Sequence, residues 1–582
     1  MDEKTTAHKF SNCRYIKPGG SMTTPNTPFQ QLIADEWEFR LNADPIFATY
    51  TGDHRFDAKL PRVNEQEWSR QLEAGRVFQR RLNSIDRSTL ALNEQLNYDI
   101  FRRLIEDNLR ELEFGGYYFP IAKVGGVHTS FPDLAAYTRL ESATDYENFI
   151  ARIAGFEKYI QEYIALMRAG VKKGFVPPRV TLEGVDESIK THLVEDATDS
   201  ALYEAFKQMP ASISGADQDR LRGKASTAIL QSLVPGFFAL GKFLSEEYLP
   251  AARESVGADD LPNGRAFYEH RIRTATTLPL TADAIHQTGQ AEVKRIRAEM
   301  MSIVEKTGFG SDFAGFLEFL RSDERFYAKT AEQLLEKTAL ILKRMDGELP
   351  RLFKTLPRTP YGIRVIPDYS APGNTTAYYF PPAGDGTRAG YYYVNTYDLK
   401  SRPTYEIEAL SLHEAVPGHH LQIALQMELD IPNFRRYAGF TAYVEGWALY
   451  SERLGLETGF YTDPFSDFGR LSYEMWRACR LVVDTGMHAL GWSRQQAIDF
   501  MAANTSSTLL NITNEIDRYI AWPGQALAYK IGELKIRELR AYAEKELGAK
   551  FNLREFHDVL LTSGAVPLDV LENMVKEWVK RQ

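Results

Sequence analysis

Three of the chain's 11 histidines fall in the run His413-Glu414-Ala415-Val416-Pro417-Gly418-His419-His420. A helix carrying His-Glu-x-x-His presents two imidazoles one turn apart, a pair suited to Zn²⁺, with the Glu placed to take a proton from water on the metal. This run opens that way and then departs, because the residue four after His413 is Pro417, which offers a metal no donor atom. In a straight helix His420 lies about 20° round from His413 but roughly 10 Å along the axis. That is too far for two ligands on one ion at about 2.1 Å each. His419 would sit on another face. Pro417 lacks an N–H and its ring clashes with the carbonyl of residue 413, and Gly418 tolerates unusual torsions. A kink or bulge over Val416-Pro417-Gly418 is therefore expected to bring a second histidine back toward His413. At this point both His419 and His420 are candidates.

A third ligand has to come from elsewhere. Thr441-Ala442-Tyr443-Val444-Glu445-Gly446-Trp447-Ala448-Leu449-Tyr450-Ser451-Glu452 reads as an apolar helix with two acids on one face. A bare buried carboxylate costs several kcal/mol, roughly, unless it finds a partner. Glu445, flanked by Val444, Gly446 and Trp447, is the better metal ligand. Glu452 is expected to pair with Arg453 or Arg436. Further along, Asp484 and His488 stand four apart on one helical face. They form either a local polar pair or, through His488, a group that meets an oxyanion or a substrate end. Arg480 is a candidate for a substrate carboxylate, which a guanidinium matches in a bidentate fork.

The elements that must position these residues are mostly helical. Phe29 to Asn42, Asn93 to Phe114, Asp145 to Lys172, Thr227 to Tyr248 and Thr281 to Lys306 repeat apolar residues at three- and four-residue spacing. Ala377 to Pro382 and Gly390 to Thr396 are aromatic and β-favouring, with Gly384-Asp385-Gly386-Thr387 between them, the pattern of a β-hairpin. That hairpin lies just before the histidine run, and an extended peptide can add to a sheet edge.

The bulk composition narrows the function classes. A chain of 582 residues with two cysteines and net charge −9 is an ordinary globular protein of several packed lobes, not a nucleic-acid binder or a disulfide scaffold. A metal would be held by His and carboxylate. The first residues lack the apolar core of a signal peptide, and no uninterrupted apolar stretch of membrane-spanning length is evident. The expectation is a cytoplasmic protein, monomer or homodimer, with no membrane or nucleic-acid partner. Residues 1–27 are expected as a disordered tail, 28–370 as helical lobes forming one cleft wall, and 371–582 as the catalytic region.

The two motifs together, HEAVPGHHLQ and AYVEGWALYSERLG, resemble the large bacterial DUF885 family over nearly the whole chain after the tail. Through it the chain is similar, more distantly, to the gluzincin-type zinc metallopeptidases, including the thimet oligopeptidase and thermostable carboxypeptidase families. The resemblance implies a mainly α, zincin-like fold with a deep cleft and a small sheet beside the metal helix. It implies Zn²⁺ on His413, His419 and Glu445 with Glu414 as general base. The two-residue lengthening of the motif keeps His420 as an alternative ligand. Tyr519 to Gly532 resembles the relatives' Gly- and Tyr-rich segment, which makes Tyr529, then Tyr519, the implied hydroxyl toward the oxyanion. The other reading of that segment is a helix contact through Gly524 and Gly532. Asn395 and Thr396 are placed beside the cleft by resemblance alone.

The expected function is zinc-dependent hydrolysis of short peptides, of carboxypeptidase or oligopeptidase type. The rivals are an amidase on a non-peptide substrate and a non-catalytic helical binding protein.

Overall fold

The computed structural model describes residues 27–368, 371–383, 386 and 388–582. The tail expected over residues 1–27 lies outside the described residues except for Thr27, whose hydroxyl accepts from the Gln30 N–H and caps the first helix.

The periodic segments form helices over Pro28–Ala43, Leu92–Phe114 and Ala282–Lys306. The segment expected over 145–172 is two helices, Ala143–Ala154 and Phe156–Lys172, parted at Gly155. The run expected over 227–248 is part of a longer continuous helix, Gly215–Ala251. π turns at Ile229–Leu233 and Leu244–Tyr248 each precede a proline, Pro235 and Pro250. A widened turn relieves the proline ring's clash with the carbonyl behind it. This helix is long and apolar enough to cross a membrane by length and composition, and 50% of that apolar window is buried within the protein. Pro235 and Lys242 interrupt its apolar run in the sequence. It packs on Phe156–Lys172 so closely that a Cβ on Gly236 would lie 2.8 Å from the Phe156 ring.

The fold is mainly α with one small sheet, as expected. Strands β2 (Ala377–Phe380) and β3 (Gly390–Val394) pair antiparallel, Tyr379 opposite Tyr392. Of the residues expected between them, Gly384, Asp385 and Thr387 lie outside the described residues. A further strand, β1 (Tyr361–Val365), runs parallel to the other side of β3, giving the order β1-β3-β2. Its five residues, partly exposed and just after Pro357 and Pro360, carry too little alternation to stand out in the sequence. β2 is left as an edge strand.

The division expected at residue 370 is not a packing boundary. The largest core joins Phe29, Phe101 and Met345 to Tyr392, Trp447, Leu527 and Val575. A second core lies within the first half, around Phe149, Phe156 and Phe237, and a third joins Met300 and Phe316 to Met475 and Ile516.

Candidate functional site

The histidine run folds as two helices and a tight connection rather than one bent helix. Ile407–Glu414 ends at Glu414, and His419–Glu428 begins directly after Gly418. Across the connection the His420 N–H donates to the Ala415 carbonyl at 3.0 Å, and the Trp447 indole N–H donates to the Pro417 carbonyl at 2.9 Å. The backbone passes so close to itself that a Cβ on Gly418 would lie 1.9 Å from the His413 carbonyl oxygen. Only glycine fits, and this closeness removes the axial separation that a straight helix would impose.

The third residue arrives by a similar device. Thr441–Leu454, which carries Glu445, crosses Ala528–Leu547, which carries Tyr529. At the crossing a Cβ on Gly446 would sit 2.5 Å from the Gly532 Cα, and one on Gly532 would sit 1.8 Å from the Ala442 carbonyl. Glu445 neighbours one of these glycines and Tyr529 lies a turn from the other, so the contact sets both beside His413. The Gly532 helix contact and the placing of Tyr529 are thus one arrangement. Gly524 makes a left-handed turn, its N–H donating to Asp484, and it too lies against a helix, since a Cβ there would sit 3.1 Å from the Arg271 backbone.

His413, His419 and Glu445 offer ligand atoms that all lie within 4.8 Å of one another. Glu445 Oε2 is 3.5 Å from His413 Nε2 and 3.4 Å from His419 Nε2. It is buried and forms no hydrogen bond with any described residue. Two ligand atoms at about 2.1 Å from one tetrahedral ion are about 3.4 Å apart, and both carboxylate-to-imidazole separations match that spacing.

Glu452 does not pair with Arg453 or Arg436. Its Oε1 accepts a 2.8 Å hydrogen bond from His413 Nδ1 and lies 3.5 Å from Arg477 Nη2. The Glu452 bond keeps a proton on Nδ1, which leaves Nε2 as the nitrogen a metal would take. Burial alone would lower the His413 pKa, but the Glu445 and Glu452 carboxylates raise it to about 9. Burial would raise Glu445, but the His419 and His413 charges hold it well below the usual carboxylate range.

His420 faces the other way. Its Nδ1 meets the Tyr379 hydroxyl at 2.9 Å and its Nε2 the Thr359 carbonyl at 3.1 Å. Burial lowers its pKa to about 4. It ties the second helix to β2 and to the residues leading into β1, and it is not the histidine brought to Glu445.

A cavity of about 330 Å³ opens on the cluster, lined among others by Glu414, Tyr529, the β2 edge from Thr375 to Tyr379, Arg477, Arg480 and Arg518. The Tyr529 ring lies parallel to His413, centroids 6.4 Å apart. Burial and the Glu445 charge raise its pKa. Arg480 also reaches the cavity, its guanidinium 4.3 Å from the Tyr529 ring centroid.

Other candidates are placed elsewhere. His488 is buried, its Nε2 donating to the Tyr519 carbonyl at 3.0 Å while its Nδ1 accepts from the Ala258 N–H at 3.1 Å. Both ring nitrogens are spent on backbone, and burial lowers its pKa to about 4. Asp484 does not pair with it but accepts from the Tyr268 hydroxyl at 2.6 Å. The Tyr519 hydroxyl lies behind the cavity wall, accepting from Arg480 Nε at 2.7 Å and Trp476 Nε1 at 3.0 Å. Asn395 is fully buried and donates to the Ala371 and Thr375 carbonyls, so it pins the loop before β2. Neither it nor Thr396 lines the cavity. Thr375 and Thr376 occupy the position expected of them.

Arg518, Glu515 and Arg477 also line the cavity, and nothing in their sequence setting marks them out. Each sits in a helix whose acids and bases look like ordinary surface charge until their burial is known.

The family described as "Bacterial protein of unknown function (DUF885)" matches residues 45–575. No curated protein matches the chain. Among solved structures, one from Colwellia psychrerythraea, described as "the putative lipoprotein", is 29% identical, with TM-score 0.90 over 96% of this chain and all of that one (100%). Another, from Shewanella oneidensis and described as "a putative lipoprotein of unknown function", is 19% identical, with TM-score 0.70 over 94% of this chain and 99% of that one, and shares the fold. With the family match spanning most of its length, the chain belongs to the DUF885 family.

Proposed function

We propose that the chain is a zinc-dependent hydrolase of gluzincin type that cleaves peptide bonds in short peptides. The observation that carries this reading is the meeting of His413, His419 and Glu445 at one point, with Glu414 lining the same cavity. Zn²⁺ held by those three residues would supply a Lewis acid and lower the pKa of a water to near neutrality. Glu414, next to the first ligand, takes the proton from the attacking water and passes it to the leaving amine. The Tyr529 hydroxyl donates to the carbonyl oxygen as charge develops there. The β2 edge offers backbone groups to an extended peptide, and Glu452 holds His413 in its working tautomer.

A library of short peptides incubated with the zinc-loaded protein tests this. We expect cleavage, and we expect Glu414→Gln to keep its zinc and lose hydrolysis. An untouched library would overturn the reading. The description of the two structural neighbours as lipoproteins weighs against the cytoplasmic expectation. Fractionation of cells making the protein decides that point, with recovery in the soluble cytoplasmic fraction restoring it.

A further inference from the structure

In the cavity wall beside Tyr529 two buried guanidiniums pair with a single carboxylate. Arg480 Nη2 and Arg518 Nη2 both donate to Glu515 Oε2, at 3.2 and 2.8 Å. Among the described residues no other acid pairs with either guanidinium. Their other contacts are neutral: Arg480 Nε donates to the Tyr519 hydroxyl, and Arg518 Nη1 donates to Gln525 at 3.0 Å. Arg480 Nη1 and Arg518 Nε are buried with no hydrogen-bond partner. Two guanidinium charges thus share one carboxylate in a largely dehydrated wall, a costly arrangement unless an anion completes it.

The Tyr529 ring centroid lies 4.3 Å from the Arg480 guanidinium and 6.4 Å from the His413 ring centroid. The cavity, about 330 Å³, lies near the lower end of the roughly 300–1,000 Å³ typical of small-ligand pockets. It suits a chain end better than a long extended segment.

We propose that Arg480 and Arg518 form the subsite for the free α-carboxylate of a peptide, so that residues are removed from the C-terminus. The cleavage direction rests on the hydrolase reading, whereas the carboxylate site does not. In the step itself water adds across the C–N bond: the acyl carbon gains the hydroxyl, the leaving amino acid gains the proton, and no other reactant is needed.

Calorimetric titration of the zinc-loaded protein with N-acetyl-phenylalanine, its amide, and N-acetyl-aspartate α-amide tests the site without turnover. We expect the α-acid to bind at least tenfold more tightly than its amide, which is 1.4 kcal/mol or more. We expect Arg518→Gln to erase that difference and Arg518→Lys to keep part of it. Equal binding of acid and amide by the wild-type protein would overturn the proposal, and this arm requires no variant to fold. A retained preference in folded Arg518→Gln would also overturn it, since the acid would then be held elsewhere. Tighter binding of the aspartate side chain than of the α-acid would overturn the assignment to a chain end. If the α-acid preference appears but peptides stay intact, the carboxylate site stands and the hydrolase reading fails. If peptides are cut but acid and amide bind alike, the reverse holds.

Discussion

His413 Nδ1 donates a 2.8 Å hydrogen bond to Glu452 Oε1, from a residue 39 positions away in the chain, and both side chains are almost wholly buried. The bond fixes the tautomer and the orientation of the imidazole whose other nitrogen faces Glu445. Partners of this kind around a metal ligand are typically worth about 10–100-fold in affinity. Glu452→Gln, which keeps the shape and removes the charge, is expected to weaken zinc binding by about that factor while leaving the fold intact. Competition against a chromophoric chelator reads the affinity directly. An unchanged value would assign Glu452 to packing alone.

Zinc binding is expected to be strongly pH-dependent. Metal and proton compete for His413 Nε2, and the metal-free imidazole holds its proton up to about pH 9. The apparent zinc affinity should climb about tenfold per pH unit up to about pH 9 and level off above it. The sign for folding follows from the same shift. The pKa is raised on folding, so the stability it contributes to the metal-free protein is complete below about 6.5 and is lost as pH rises through about 9. Thermal melts of metal-free protein across this window should fall more steeply than those of zinc-loaded protein. Parallel curves would contradict this.

Gly418→Ala puts a methyl group where the His413 carbonyl already stands, at 1.9 Å. The connection must open, which is expected to cost about 1–3 kcal/mol and to move His419 away from Glu445. Loss of both melting temperature and zinc stoichiometry is the expected result. A variant that melts and binds zinc like the parent would show that the close approach does not hold the site.

Tyr529→Phe removes a hydroxyl at the cavity and leaves the ring against His413 and Arg480. If that hydroxyl meets the developing oxyanion, kcat on short peptides falls about 100- to 1,000-fold with little change in KM. A fall in affinity with kcat preserved would instead make Tyr529 a binding residue.

The legible parts of the chain were those whose chemistry is local. Helical period, the aromatic strands and the break at Pro417-Gly418 are each written within a few residues, and so is Glu445 on its apolar helix. His419 and His420 could not be separated from sequence, because the choice rests on the Tyr379 hydroxyl and the Thr359 carbonyl, which capture His420 from distant elements. Glu452 has Arg453 and Arg436 near it in sequence, whereas its partners are His413 and Arg477 on two other helices. His488 and Asn395 carry the residue types of an active site but spend their polar atoms on backbone, which composition and spacing cannot reveal. The Arg480–Glu515–Arg518 group is assembled from two helices, and its excess charge becomes visible only once burial is known.

The central claim is that His413, His419 and Glu445 hold a zinc ion. Diffraction at the zinc absorption edge from crystals of the zinc-loaded protein tests it most directly. We expect one strong anomalous peak per chain, about 2.0–2.2 Å from His413 Nε2, a His419 ring nitrogen and a Glu445 oxygen, with no density on His420. The absence of a peak at that point, or a peak on His420, would contradict it.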